Sequence, residues 1–133
     1  MEMPFGANGM SGSISGHLRN FSAELTRGLG MPKACARIIE VVALRGQKLS
    51  FCEIAERVRM SDRSLRSHLG TLVKRGILLR EVAVTRTRRL AYRYYMAPFG
   101  EIHHMVRTEL ARRIEKLERL SREVRGSRRP AAI

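Results

Sequence analysis

At 133 residues the chain has room for one domain with a modest core and an extra helix or two. Lys and Arg outnumber Asp and Glu 26 to 12, for a formal charge of +14; this exceeds what solubility needs and is one-signed where a thermophilic ion-pair surface would be balanced, so a polyanionic partner, nucleic acid first, is implied. No apolar run nears the roughly 20 residues of a membrane span and no secretory h-region opens the chain, so a cytoplasmic, nucleoid-associated protein without a membrane partner is expected.

Residues 1–12, rich in Gly, Ser and Met without periodicity, are predicted to be a flexible N-terminal arm. Ser13 or Ser15 can cap a helix reaching to about residue 30, where Gly28 to Gly30 end it. Its apolar stripe is Ile14, Leu18, Phe21, Leu25 and Leu29, and that stripe needs a partner. Pro32 suits the first turn of a second helix, with Cys35, Ile38, Ile39, Val42 and small Ala43 as its core face and Arg45-Gly46 as its close. This helix is expected to be the floor beneath residues 50–76.

Ser50 to Gly76 reads as two short helices joined by a tight turn. Ser50 and Glu53 have the spacing of a capping box, which starts the first helix. Ile54, Ala55 and Val58 give it an inner face, Met60 fills the turn, and Ser61 is the N-cap of the second helix. At about 100° per residue, Leu65, Leu69, Leu72 and Val73 share one face of that helix. Arg63, Ser67, Gly70 and Lys74 lie opposite, flanked by Ser64 and Arg66, and the only nearby carboxylate is Asp62 in the first turn. These are the residue types that hydrogen-bond base edges and phosphates. Ser61, Arg63, Ser64, Arg66, Ser67, Gly70 and Lys74 are therefore the candidate recognition residues, with Arg63 and Ser67 reading bases. Gly70 costs roughly 1 kcal/mol against Ala in a helix interior, and both close approach to DNA and a drifted surface glycine account for it.

Gly76 fits a helix C′ position, and Ile77 to Thr85 is β-branched and apolar, a predicted strand. Leu90 to Met96 is aromatic and roughly alternating, a second strand. The tip between them carries Arg86, Thr87, Arg88 and Arg89, suited to phosphate contact or minor-groove insertion. Between residues 61 and 93 there are nine basic residues and two acidic ones, so the charge sits where the motif does.

Pro98 opens a last helix running to about Arg125, with Gly126 and Pro130 stopping it and 126–133 left as a basic flexible tail. Its stripe is Ile102, Val106, Leu110, Ile114, Leu117, Leu120 and Val124, at steps nearer an 11-residue than a heptad repeat. Glu109 with Arg113, Glu115 with Arg119 and Glu118 with Arg122 place acid before base at i,i+4. Such a helix, about 40 Å long, exceeds what one small domain can cover. A second copy of the chain is the expected partner, in a two-fold dimer joining Leu18, Phe21 and Leu25 to Val106, Leu110, Ile114, Leu117 and Val124.

Chemistry other than binding finds no support in the residues. Cys35 and Cys52 lack Cys-x-x-Cys spacing, the four histidines form no ligand pattern, and no nucleophile elbow, phosphate-cradling loop or carboxylate pair occurs. No metal, cofactor or catalytic residue is predicted, and Cys35 is expected to be a small core residue.

The order helix, helix, helix-turn-helix, hairpin resembles the winged helix-turn-helix transcriptional regulators of MarR-like, TrmB-like and other small archaeal type. The resemblance covers about Met31 to Pro98 and is carried by Ala34 to Leu44, by Ser50-x-x-Glu53-Ile54-Ala55, by Met60-Ser61-x-x-Ser64-Leu65-x-x-His68-Leu69-x-x-Leu72-x-x-x-Gly76-Ile77-Leu78, and by Tyr92-Arg93-Tyr94. It implies a recognition helix at Ser61 to Arg75 in the major groove, a wing at Arg86 to Arg89, and repression by dimers. The wing lacks the glycines of many relatives, and nothing after residue 98 resembles a ligand-binding domain, so the effector is left open. The expected fold is mainly α with a small β-hairpin wing (α+β). Its parts are an arm (1–12), a dimerisation helix (13–30), a winged helix-turn-helix (31–97), a long dimerisation helix (98–125) and a tail (126–133). The expected function is sequence-specific binding of double-stranded DNA as a homodimeric regulator. A weakly specific chromatin-type protein and a docking module of transcription machinery are the alternatives.

Overall fold

The computed structural model describes the backbone of residues 7–128 and the side chains of 14–127. Among these residues five helices and three strands run in the order α1 (Ala7–Gly28), α2 (Lys33–Arg45), β1 (Leu49–Ser50), α3 (Phe51–Val58), α4 (Asp62–Lys74), β2 (Leu78–Val84), β3 (Leu90–Met96) and α5 (Phe99–Arg128). The architecture is an α+β winged helix-turn-helix flanked by a long helix at each end. Caps set most of these boundaries. Ser50 Oγ accepts from the Glu53 N–H at 3.2 Å while the Glu53 carboxylate accepts from the Ser50 N–H at 2.9 Å, completing the capping box that starts α3. The bond from the Ser50 N–H also holds the Glu53 carboxyl below its ordinary range. Gly46 closes α2 in the left-handed region, its N–H donating to the Val42 carbonyl. At the end of α4, Gly76 sits at φ 82, and the N–H groups of Gly76 and Ile77 return to the carbonyls of Val73 and Leu72. That is a Schellman motif, and Leu72 and Ile77, both fully buried, supply its apolar contact.

The core gathers on α2, which packs against α1, α3, α4 and β3. Its Cys35, Ile38, Ile39 and Val42 are fully buried, as are Ile54 of α3, Leu65, Leu69 and Leu72 of α4, and Leu78 of β2. The strands form one antiparallel sheet in the order β1-β3-β2. The wing hairpin keeps a continuous register from Leu78 opposite Met96 to Val84 opposite Leu90. Strand β1 has no counterpart among the expected elements: it is two residues long, pairs Leu49 with Tyr94 and Ser50 with Arg93, and leads straight into the α3 cap.

Both terminal helices depart from expectation in length. Helix α1 begins at Ala7, within the segment expected to be an arm, because extending a helix that packing has nucleated adds one hydrogen bond per residue fixed. Residues 1–6 of that arm lie outside the described residues. Helix α5 passes through Gly126 to Arg128, since one glycine costs roughly 1 kcal/mol and does not end a long helix. The remainder of the expected tail, 129–133, lies outside the described residues. Of the three i,i+4 ion pairs expected on α5, Glu109 meets Arg113 at 3.4 Å and also Arg112 at 3.1 Å. Glu115–Arg119 and Glu118–Arg122 are not within ion-pair distance.

Candidate nucleic-acid interface

Helix α4 is locked from within and bare outside. Ser61 Oγ accepts from the Ser64 N–H at 3.1 Å, which caps the helix. Leu65, Leu69 and Leu72 bury the inner face, and the Arg75 guanidinium donates to the Leu29 carbonyl at 3.4 Å, tying the far end to the turn after α1. His68, expected only as part of the motif, is half-buried with Nδ1 3.7 Å from Cys35 Sγ on α2, a side-chain bridge from the floor to α4. Burial pushes the Cys35 thiol up, so it is held neutral. Cys52, by contrast, is exposed.

The outward face of α4 carries Arg63, Ser64, Arg66, Ser67, Gly70 and Lys74, with Ser61 at the cap. Ser61, Arg63, Ser64, Arg66 and Gly70 are exposed. The Arg66 guanidinium lies 4.4 Å above the Phe51 ring, which gives a long side chain a fixed seat beside the first turn. A Cβ at Gly70 would meet nothing within 4 Å. No packing among the described residues requires this glycine.

At the wing tip, Thr85 and Arg88 close a turn by the Arg88 N–H to Thr85 carbonyl bond (2.9 Å), and the Thr85 N–H donates to the Arg89 carbonyl (2.9 Å). Thr85 Oγ1 accepts from the Arg89 N–H and lies 3.1 Å from Thr87 Oγ1. Three residues therefore turn the chain, the last in the left-handed region, a position that usually goes to glycine. Here it is Arg88, at φ 61. The missing wing glycine is thus replaced by a strained arginine, and Arg86, Thr87, Arg88 and Arg89 all stand exposed. The one carboxylate on the hairpin, Glu81, is bound by Lys48 Nζ at 2.8 Å.

Two cationic features lie outside the expected set. Arg59, in the turn between α3 and α4, is the other non-glycine residue at positive φ (45) among the described residues, also exposed. Arg80 stacks over Tyr92 at 4.2 Å. Neither carries a local sequence signal, since the first depends on backbone conformation and the second on hairpin register.

The residues expected to join two chains separate into two groups. Leu25 is 7% exposed and Phe21 is half-buried, edge-on to Phe99 with ring centroids 5.2 Å apart, so these belong to the chain's own core. That corrects the expectation that the whole α1 stripe stays free: α2 and the start of α5 already cover its C-terminal half. Leu18 and Val106 are half-buried. Leu110, Ile114, Leu117, Leu120 and Val124 are 38% to 64% exposed. Among the described residues no helix is long and apolar enough to cross a membrane.

No protein-family model matches the sequence, and no curated protein matches it. Among solved structures, a possible transcriptional regulator from Methanosarcina mazei Go1 superposes with a TM-score of 0.66 at 12% identity, over 74% of this chain and 82% of its own. A point mutant of S. aureus MepR bound to an oligodeoxyribonucleotide superposes with a TM-score of 0.51 at 12% identity, over 96% and 98%. The likeness is one of fold alone.

Proposed function

We propose that this chain is a sequence-specific, double-stranded-DNA-binding transcriptional regulator, acting as a homodimer and repressing by occupancy. The observation that carries the proposal is α4: one face fixed in the core by three buried leucines, the other presenting Arg63, Ser67, Gly70 and Lys74 outward. In this reading α4 lies in the major groove. Arg63 and Ser67 read bases from its first two turns, Ser61, Ser64, Arg66 and Lys74 hold phosphates, and Gly70 admits the DNA backbone. Arg86, Thr87, Arg88 and Arg89 grip phosphates or the minor groove beside it. The MepR variant with a bound oligodeoxyribonucleotide is a winged helix of the same overall span, which supports the DNA reading. No catalytic step or cofactor is part of this function, and the working place is the cytoplasm, on the nucleoid.

The dimer rests on α5. Thirty residues make a rod about 45 Å long, and its last five stripe residues are uncovered by the chain itself. A second copy, through Leu18, Val106, Leu110, Ile114, Leu117 and Val124, covers them. Two-fold pairing there puts the two α4 helices in successive major grooves about 34–36 Å apart, on an inverted repeat with half-site centres near 10 base pairs.

The deciding experiment is duplex binding with the specificity ratio measured against random sequence at fixed salt. A large ratio is the expected result. A ratio near one would favour an architectural, chromatin-type protein, the second reading, which the charge of +14 supports. Absence of duplex binding would leave a docking module.

A further inference from the structure

The wing hairpin is apolar well past the point where the core ends. Its register pairs Val82 with Tyr92 and Val84 with Leu90, and these four share a face with Leu78 and Tyr94, which are buried at the base. Outward from the base that face, Arg80 apart, stays apolar but loses its cover: Val84 is 70% exposed and Leu90 75%, the highest of any large apolar side chain among the described residues. Cross-strand pairing accounts for β-formers here, yet it does not account for the large ones near the tip falling on one face, since outward from Leu79 and Tyr95 the opposite one carries only Glu81, Arg93, Ala83 and Ala91.

The surroundings say what kind of surface would cover them. The tip directly beyond Val84 and Leu90 is Arg86 to Arg89, and Arg80 lies on the same face, stacked on Tyr92. The hairpin's single carboxylate points to the other face and is already held by Lys48. An occupant must therefore be strongly negative at its mouth and apolar on its walls. The minor groove of duplex DNA has that character, with phosphates and a negative floor between walls of deoxyribose C–H groups.

We propose that Val84 and Leu90 form an apolar wedge that enters the minor groove behind the arginine tip and bends the duplex. This deepens the DNA-binding reading above and rests on it. The wedge supplies a salt-independent part of the wing's grip, whereas the arginines supply the salt-dependent part.

The test uses the full chain and a duplex of about 30 base pairs labelled at both ends, with binding measured over a range of salt and bending read by end-to-end energy transfer. Leu90→Ser and Val84→Thr are compared with Arg88→Ala/Arg89→Ala; Val84→Thr keeps the β-branch, and thermal melting checks that each variant is folded. Each wedge variant is expected to bind roughly tenfold more weakly, with an unchanged salt slope and a smaller bend. The double arginine variant should instead flatten the slope by about 0.9 for each phosphate it no longer neutralises. Wedge variants that match the parent in affinity and bend would overturn the wedge and leave the DNA reading standing. A parent that binds no duplex would overturn that reading itself. Loss of binding to phosphatidylserine vesicles in Leu90→Ser, with DNA binding intact, would overturn the wedge in favour of a membrane surface.

Discussion

Helices α1 and α5 look alike in sequence, each a long amphipathic segment at one end of the chain with apolar residues every three or four positions. In the fold they part company. Helix α1 commits Leu25 to its own core, held down by α2, whereas α5 touches the domain through Phe99, Ile102, Met105 and Val106 before it runs clear. A stripe alone does not separate a face its own domain covers from one it leaves bare; the length of the helix against the size of the domain does. Residues the chain covers by itself should matter to stability, and residues it leaves bare should matter to association.

Substitutions on the two helices put this contrast at risk. Leu117→Glu places a charge on the bare stripe, which is costly to bury without a partner. It is expected to convert a particle of twice 15.1 kDa into one of 15.1 kDa in analytical ultracentrifugation. Without two-site engagement, binding to an inverted repeat should weaken by about 10² to 10⁴, with the thermal melt of the monomer unchanged. A parent sedimenting as a monomer would end the contrast. Leu25→Ala, on the covered helix, should do the reverse: a fall of about 2–5 kcal/mol in urea unfolding with DNA stoichiometry retained.

The same division runs through the interface. Arg63→Ala is expected to cost about 1–3 kcal/mol on the preferred duplex and to relax choice at one base pair, with no change in unfolding. Equal weakening on every duplex would make Arg63 a phosphate anchor. Arg88→Gly should act on both quantities in opposite directions. It relieves left-handed strain worth roughly 1 kcal/mol, raising the melting temperature, while removing a phosphate partner and flattening the salt slope by about 0.9. Gly70→Ala should stabilise the fold by at most about 1 kcal/mol, since its Cβ meets nothing. Weakened DNA affinity would mark Gly70 as a point of close approach, and unchanged affinity would mark it as a drifted surface position.

Where local chemistry sets a boundary, the sequence is readable. Ser50 with Glu53, Ser61, Gly46 and Gly76 each satisfy orphan helix groups through their own atoms, and the boundaries they announce are the ones the fold adopts. The hairpin is equally plain, because its apolar runs are separated by a polar arginine tip. Strand β1 is invisible in the sequence: Leu49 and Ser50 are extended only because β3 lies beside them, and Ser50 also announces a helix. Gly and Ser within residues 7–12 argue for coil by propensity, which a helix already nucleated overrides. At the interface, the outward residues of α4 are legible from the 100° period, whereas the left-handed Arg59 and Arg88 are not, because nothing in an arginine's neighbours declares positive φ.

The bare stretch of α5 is also a mechanical element. From Val106 to Val124 it extends about 27 Å without support from its own domain, so a tilt of about 5° at the root displaces the far end by about 2 Å. If the far end is clamped to a second copy, the displacement appears at the other end, as a change in where α4 meets the groove. In the proposed dimer, the elastic compliance around Ile102 and the Phe21–Phe99 contact then governs how much variation in operator spacing is tolerated. Stiffening that joint should narrow the range of spacings bound, with no DNA-contacting residue altered.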